Sequence, residues 1–256
     1  MKIVHALPVL AKGGGERIAL NLANHASEAG HDVTLIAAHP IDSSLFVDNL
    51  HINVKVRYIS ETAYSSIGKY IYLFFWTLQN RSWLAEQDIL HCHLTYAAVL
   101  GMLVRVCRLV TGTKGPVVVQ TNHSVGAPLH SLRRWLIARM ATQCDGLALI
   151  AEDEYWRSFA SRNPRIITQI IFNGISNPSD VPINSTEKNK YRQEIGIPDE
   201  CNLVVGAIGR LEADRKPSLY LPIFAKIANI VQYLLVFTNI ANICKYWPQL
   251  LILCNI

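Results

Sequence analysis

A doubly wound, parallel α/β sheet is the fold class the sequence predicts, on three observations. Short apolar, β-branched runs alternate with helical patterns over roughly the first 170 residues. Runs such as Asp32-Val-Thr-Leu-Ile-Ala-Ala38 lack polar/apolar alternation, as strands covered on both faces do. The connections are short, and the first, Lys12-Gly13-Gly14-Gly15-Glu16, is a glycine turn between strand and helix.

Taken in order, residues 3–7 read as a strand. Ile18, Leu20, Leu22, Ala23 and Ala26 then line one side of a helix from Arg17 that ends near Gly30. Residues 32–38 form the next strand, 54–59 a short one, 69–85 an aromatic-rich helix, and Asp88-Ile-Leu-His-Cys-His93 a further strand. A helix over 95–110, a strand over 116–122, a helix over 129–143 and a strand over 146–151 continue the alternation. A short helix over 152–160 and a strand over 165–172 lead to Asn173-Gly174. Residues 1–175 are thus expected to form one Rossmann-like domain. Prolines and mixed charge over 176–200 mark a linker with a short helix near 188–195. A second Rossmann-like domain is expected to start in 201–256, with a strand over 202–209 and a helix over 218–231. After Gln232, Lys245 is the only charged residue and no further βα cycle is visible, so that domain is expected to be cut short by truncation or a frame change.

Composition narrows the function classes. A chain of 256 residues can bury one large core or two smaller ones. With 50% hydrophobic and 17% charged residues it is a globular protein, not a multi-span membrane protein. The net charge of +5 is modest and concentrated at Arg105 with Arg108 and at Arg133, Arg134 and Arg139, which predicts local basic patches and no nucleic-acid partner. Residues 1–10 lack a signal-peptide pattern, so a cytoplasmic location is expected. Six scattered cysteines without a C-x-x-C pair predict reduced thiols, no disulfide framework and no zinc site.

Several landmarks in the same order resemble one family, the retaining glycosyltransferases of family 4 with the GT-B fold. They are Gly13-Gly14-Gly15-Glu16, the D-x-x-H-x-H run ending at His93, Thr121-Asn-His123, Cys144-Asp-Gly-Leu-Ala-Leu-Ile-Ala-Glu152 and Ile170-Ile-Phe-Asn-Gly-Ile175. The last, Gly209-Arg-Leu-Glu-Ala-Asp-Arg-Lys216, is similar to the family's G-R-L-x-x-x-K-G with a one-residue shift and with Pro217 for the glycine. The family's E-x7-E element has no counterpart after Gln232.

The resemblance implies a GT-B-like chain: an acceptor-side domain over 1–175 and the incomplete start of a nucleotide-sugar-binding domain over 201–256. It implies transfer from a nucleotide-sugar to a glycan or lipid-linked acceptor without a metal or other cofactor. Peripheral contact with the anionic inner face of a membrane fits the basic and aromatic stretches. The site residues it implies are His93, Arg210 and Lys216 as the catalytic set and Gly14, Gly15, Glu16 and Gly209 on the donor. His123 and Asn173 are placed on the acceptor side. Arg210 and Lys216 suit a diphosphate whose charge grows as it departs. His93 is preferred to His91, which is expected on the opposite face of the strand, and no metal is expected on His91-Cys92-His93. The non-enzymatic alternative is a remnant or an acceptor- and membrane-docking module.

Overall fold

A computed structural model describes residues 1–11, 13–40, 49–62, 67–123, 131–174, 184–194, 197, 204–209, 233–239 and 249–255; for 131–134 and the strands beyond 203 it describes the backbone alone. By its contacts the chain divides into two units, Met1–Ile175 and Ser176–Ile256.

The first unit holds β1 (Lys2–Ala6), α1 (Gly14–Glu28), β2 (Asp32–Ala37), β3 (Lys55–Tyr58), α2 (Gly68–Gln79), α3 (Arg81–Ala85), β4 (Ile89–His93) and α4 (Leu94–Thr111). It continues with β5 (Val117–Asn122), α5 (Ser131–Ala141), β6 (Gly146–Leu149), α6 (Glu154–Arg162) and β7 (Ile167–Ile170). The strands form one seven-stranded sheet in the order β3-β2-β1-β4-β5-β6-β7, and every pairing in it is parallel. The order reverses between β1 and β4, which defines a doubly wound sheet.

Alternation along the strands builds two cores. Val4 and Ala6 of β1 and Leu90 and Cys92 of β4 join one cluster with Leu73, Trp76, Leu100 and Val104 of the helices. Ile3 and Leu7 face the other way, with Val33, Leu35 and Ala37 of β2 and Ala19, Leu20 and Ala23 of α1. The two-residue period of a strand leaves His5, between Ile3 and Leu7, on the α1 side of the sheet.

Two boundaries differ from the sequence expectation, and the Gly30 end of the first helix agrees with it. Helix α1 begins at Gly14, so Gly14 and Gly15 belong to its first turn. Its other end is a Schellman closure: His31 N–H donates to Ala26 O, Gly30 N–H donates to Ser27 O, and Gly30 takes the left-handed φ of +82°. The helix expected over 69–85 is two helices broken at Asn80, whose side-chain amide donates to Trp76 O at 2.9 Å and accepts from Arg57 at 3.2 Å. Arg57 itself lies 4.3 Å from the Trp83 ring centroid, so a tertiary contact from β3 holds the break.

Asp145, inside the sequence landmark around Cys144, ties strands together. Its carboxylate accepts from Val118 N–H at 2.9 Å and from Arg105 Nη1 at 2.5 Å. Among the described residues one helix, α4, is long and apolar enough to cross a membrane. It nevertheless packs on β4 and β5, burying Tyr96, Ala97, Leu100, Gly101 and Val104, as the core helix of a sheet does.

In the second unit, α7 (Ser185–Glu194) starts three residues before the expected helix and has no buried residue. Asn184 Oδ1 caps it by accepting from Glu187 N–H at 2.8 Å. The strands β8 (Val204–Gly209), β9 (Tyr233–Asn239) and β10 (Gln249–Asn255) form a sheet in the order β8-β10-β9. Both pairings are antiparallel. β8 is the strand that the sequence marks; the charge-poor runs beyond Gln232 supply the other two. The helix expected over 218–231 lies outside the described residues.

Gly101 sets how closely α4 approaches the sheet. A Cβ there would stand 2.9 Å from Val118 Cγ1 and 3.0 Å from Cys92 Sγ. Gly101→Val is therefore expected to destabilise the protein by about 1–3 kcal/mol, read as a lower denaturant midpoint with unchanged slope.

Candidate functional site

In a doubly wound sheet ligands bind beyond the carboxyl ends of the strands, where the order reverses. Here that place lies beyond His93 of β4 and the turn after β1. Gly13 is the extended N-cap of α1, with φ −111° and ψ 162°. A side chain at Gly13 would collide with Glu16 Oε2. The Glu16 carboxylate thus folds back over the start of its own helix, where the helix dipole favours it; burial raises its pKa, partly offset by its own backbone N–H. Among the described residues nothing outside its own helix turn lies within 4 Å of the Cβ that a Gly14 side chain would add, whereas one at Gly15 would touch the His123 ring at 3.4 Å and Leu94 at 3.4 Å.

Four imidazoles line this corner. His5 of β1 and His91 of β4 are register partners, and their ring centroids lie 5.2 Å apart. His91 and His93 have centroids 4.1 Å apart, so they share a face. The expectation that His91 points away from His93 is overturned, because residues i and i+2 of a strand lie on one side. His5 Nδ1 and His93 Nε2 are 3.2 Å apart, and His93 Nδ1 and His123 Nε2 are also 3.2 Å apart. His91 Nε2 meets Thr121 Oγ1 at 2.7 Å.

Burial keeps these rings neutral. Desolvation lowers the pKa of His5 to about 4, and desolvation with the neighbouring histidines lowers that of His91 to about 3. His93 is fully enclosed and held well below the usual range for the same reasons, and desolvation lowers His123 as well. Directly after His93 the chain turns through Leu94 at φ +66°. A left-handed leucine costs about 1–2 kcal/mol, and it turns β4 into α4 while setting the Leu94 side chain near Gly15.

Of the residues that the sequence singles out, Gly14, Gly15, Glu16, His93 and His123 come together at this corner. Asn173 is exposed beyond the carboxyl end of β7. Gly209 is the last residue of β8 in the second unit, and Arg210 and Lys216 lie outside the described residues. Sequence reasoning missed His5. Its one signal there is a polar side chain inside an otherwise apolar strand; its neighbours come from the β1–β4 register.

The lowered histidine pKa values make stability depend on pH. The unfolded chain, with His near 6.5, binds protons that the folded state refuses, so this stability is full above pH 6.5 and falls with acidification. His5 alone, with its folded value of about 4, contributes on the order of 3 kcal/mol that is lost between those limits. Denaturant unfolding from neutral pH down to about pH 5 is expected to show the loss, and His5→Phe to flatten it.

Comparison with known proteins adds to this geometry. The profile of Glycosyltransferase Family 4 matches residues 12–176. A glycosyltransferase from Rickettsia africae ESF-5 is similar in structure, with a TM-score of 0.51 and 17% identity over 78% of this chain and 50% of that one. A sucrose-phosphate synthase from Thermosynechococcus elongatus gives a TM-score of 0.51 and 13% identity over 78% of this chain and 53% of that one. The chain spans about half the length of these solved structures. No curated protein matches it by sequence. At such identities the structural likeness speaks for the fold, which is the α/β arrangement of GT-B glycosyltransferases. Because the family profile covers more than half of the 256 residues, the chain belongs to glycosyltransferase family 4.

Proposed function

We propose that this chain takes part in moving a sugar, with retention, from a nucleotide-sugar donor to a glycan or lipid-linked acceptor. The observation that carries this reading is the open first turn of α1 at the strand-order reversal: a Cβ added at Gly14 would meet no other described residue within 4 Å, and Gly15 sits against His123. Bare backbone and a polar ring at that place suit a sugar. Glu16 lies over the same helix start, so its carboxylate accepts from sugar hydroxyls and repels a diphosphate. The diphosphate is left to Arg210 and Lys216, whose fixed charges stabilise the departing oxygens without a metal or a proton transfer. Gly209 lets the chain approach the donor closely.

His93 has both ring nitrogens taken by histidines, so it acts as a positioning residue, and His123 is the ring presented to substrate. Asn173 stands on the acceptor side. Calorimetric titration of the chain with a panel of uridine, guanosine and adenosine diphosphate sugars tests this reading. One of them is expected to bind, Gly15→Val to weaken it at least about tenfold, and Arg210→Ala and Lys216→Ala to do the same. Unchanged binding in both cation variants would remove the proposed clamp.

A second reading, a cytoplasmic docking module at the anionic inner face of a membrane, is favoured by α2. Leu73, Trp76 and Thr77 are its buried side, yet Ile71, Phe74 and Phe75 are 53%, 44% and 56% exposed. Aromatic groups beside basic residues such as Lys69 suit a charged lipid interface. Co-sedimentation with vesicles containing anionic lipid is expected to fall several-fold in Phe74→Ser/Phe75→Ser and in high salt; equal binding to neutral vesicles would argue against it.

A further inference from the structure

Three of the imidazoles have an arrangement that substrate binding does not call for. One ring nitrogen of each of His5, His91 and His93 lies within 4.8 Å of those of the other two. His5 Nδ1 and His93 Nε2 are 3.2 Å apart, close to the spacing of about 3.3 Å between two nitrogens that each stand about 2.0–2.1 Å from one tetrahedral ion. The ring centroids of the three lie 4.1, 5.2 and 5.4 Å apart.

The outer nitrogens complete the pattern. His91 Nε2 is placed to donate to Thr121 Oγ1 at 2.7 Å, and His93 Nδ1 to His123 Nε2 at 3.2 Å. In the tautomers that carry the proton on His91 Nε2 and on His93 Nδ1, the inward nitrogen of each ring keeps its lone pair, as for histidines that ligate a metal. His5 Nε2 and His91 Nδ1 have no hydrogen-bond partner among the described residues, although His5 is only 4% exposed. Buried polar atoms seldom stay unpartnered. A purely hydrogen-bonded cluster accounts for His93 but leaves His91 Nδ1 without a described partner, which an ion at the centre would supply; His5 turns Nδ1 inward, so its Nε2 does not bear on the choice.

We propose that His5, His91 and His93 form a three-imidazole site for a divalent transition-metal ion of the zinc class, tying β1 to β4 at the strand-order reversal. The sequence alone carries no expectation of this site, because one ligand lies 86 positions from the next. Nitrogen-only ligands select zinc, cobalt, nickel or copper over magnesium or calcium. The rings are neutral and give up no proton on binding. The nitrogens, now within 4.8 Å of one another, draw together on binding. The ion is structural: His123 and the glycine turn stand between it and the site proposed for the sugar, and the inference does not depend on glycosyl transfer.

The test uses the whole chain, stripped with a chelator and titrated with Co2+ and then with Zn2+ as competitor. One equivalent of Co2+ is expected to develop the visible absorption of a nitrogen-ligated ion, to be displaced by Zn2+, and to raise the thermal midpoint. His5→Gln and His91→Gln are each expected to weaken binding at least about 100-fold. His123→Gln, which removes only the outer partner of His93, is expected to weaken it about 10-fold or more. His25→Gln, at an exposed histidine of α1, is expected to leave it unchanged. Should His5→Gln fail to fold, the half-buried His91 decides alone. The proposal is overturned if no saturable binding is seen, or if His91→Gln binds Co2+ as tightly as the parent chain, which would assign the ion to surface histidines.

Discussion

The pairing of β1 with β4 is the constraint on which the rest of this structure depends. Eighty-odd residues of chain separate them, with two strands and three helices among the described residues, and yet Ile3 to Ala6 lie in register with Ile89 to Cys92. From β1 the chain winds outward to β2 and β3; from β4 it winds the other way through β5, β6 and β7. The two crossovers leave the junction on opposite sides, which opens a crevice above it. The same register puts His5 opposite His91. Shifting it by one residue would put β1's apolar side chains on the wrong faces and break both cores at once.

Around that junction several unfavourable terms are accepted together. His93 is fully enclosed and His5 nearly so, and each of them must be neutral to stay there. Leu94 is held at a left-handed φ. Gly13 and Gly14 give up side-chain contacts at the start of a helix, where glycine is a poor former. None of these choices helps α1 or α4 to form. They persist because the surrounding packing, Leu35 and Ala37 on one side and Leu90 and Cys92 on the other, is dense enough to hold them. Strain and buried polarity concentrated at a ligand crevice separate this corner from the ordinary βα turns of the same sheet.

The helical layer around α2 and α4 follows another rule. Helix α4 buries a small-residue side, Ala97, Ala98 and Gly101, close against β4 and β5, and leaves Val106, Leu109 and Val110 outside. Helix α2 buries Leu73 and Trp76 and leaves its other aromatic groups outside. Single exposed apolar residues need no explanation; several on one helix are the pattern on which the docking reading of α2 rests.

How much of this was legible in the residues depends on the range of the interaction. Uninterrupted runs such as Asp32 to Ala38 announce doubly covered strands, and all seven strands of the first sheet lie where β-branched, apolar runs occur. Gly30 and the glycine turn are local signals, because backbone conformation is decided within a few residues. The break at Asn80 was not legible, since Arg57 from a distant strand stabilises it. Neither was the placement of His5, His91 and His93 around one point, for which strand order and register had to be known; that His91 and His93 share a face follows from the two-residue period alone. The sequence by itself determined the alternation of elements, the glycine turn and the family landmarks, all encoded over short spans. Only the tertiary structure decided which strands adjoin and therefore which histidines meet, because parallel pairing joins segments whose separation leaves no periodic trace along the chain.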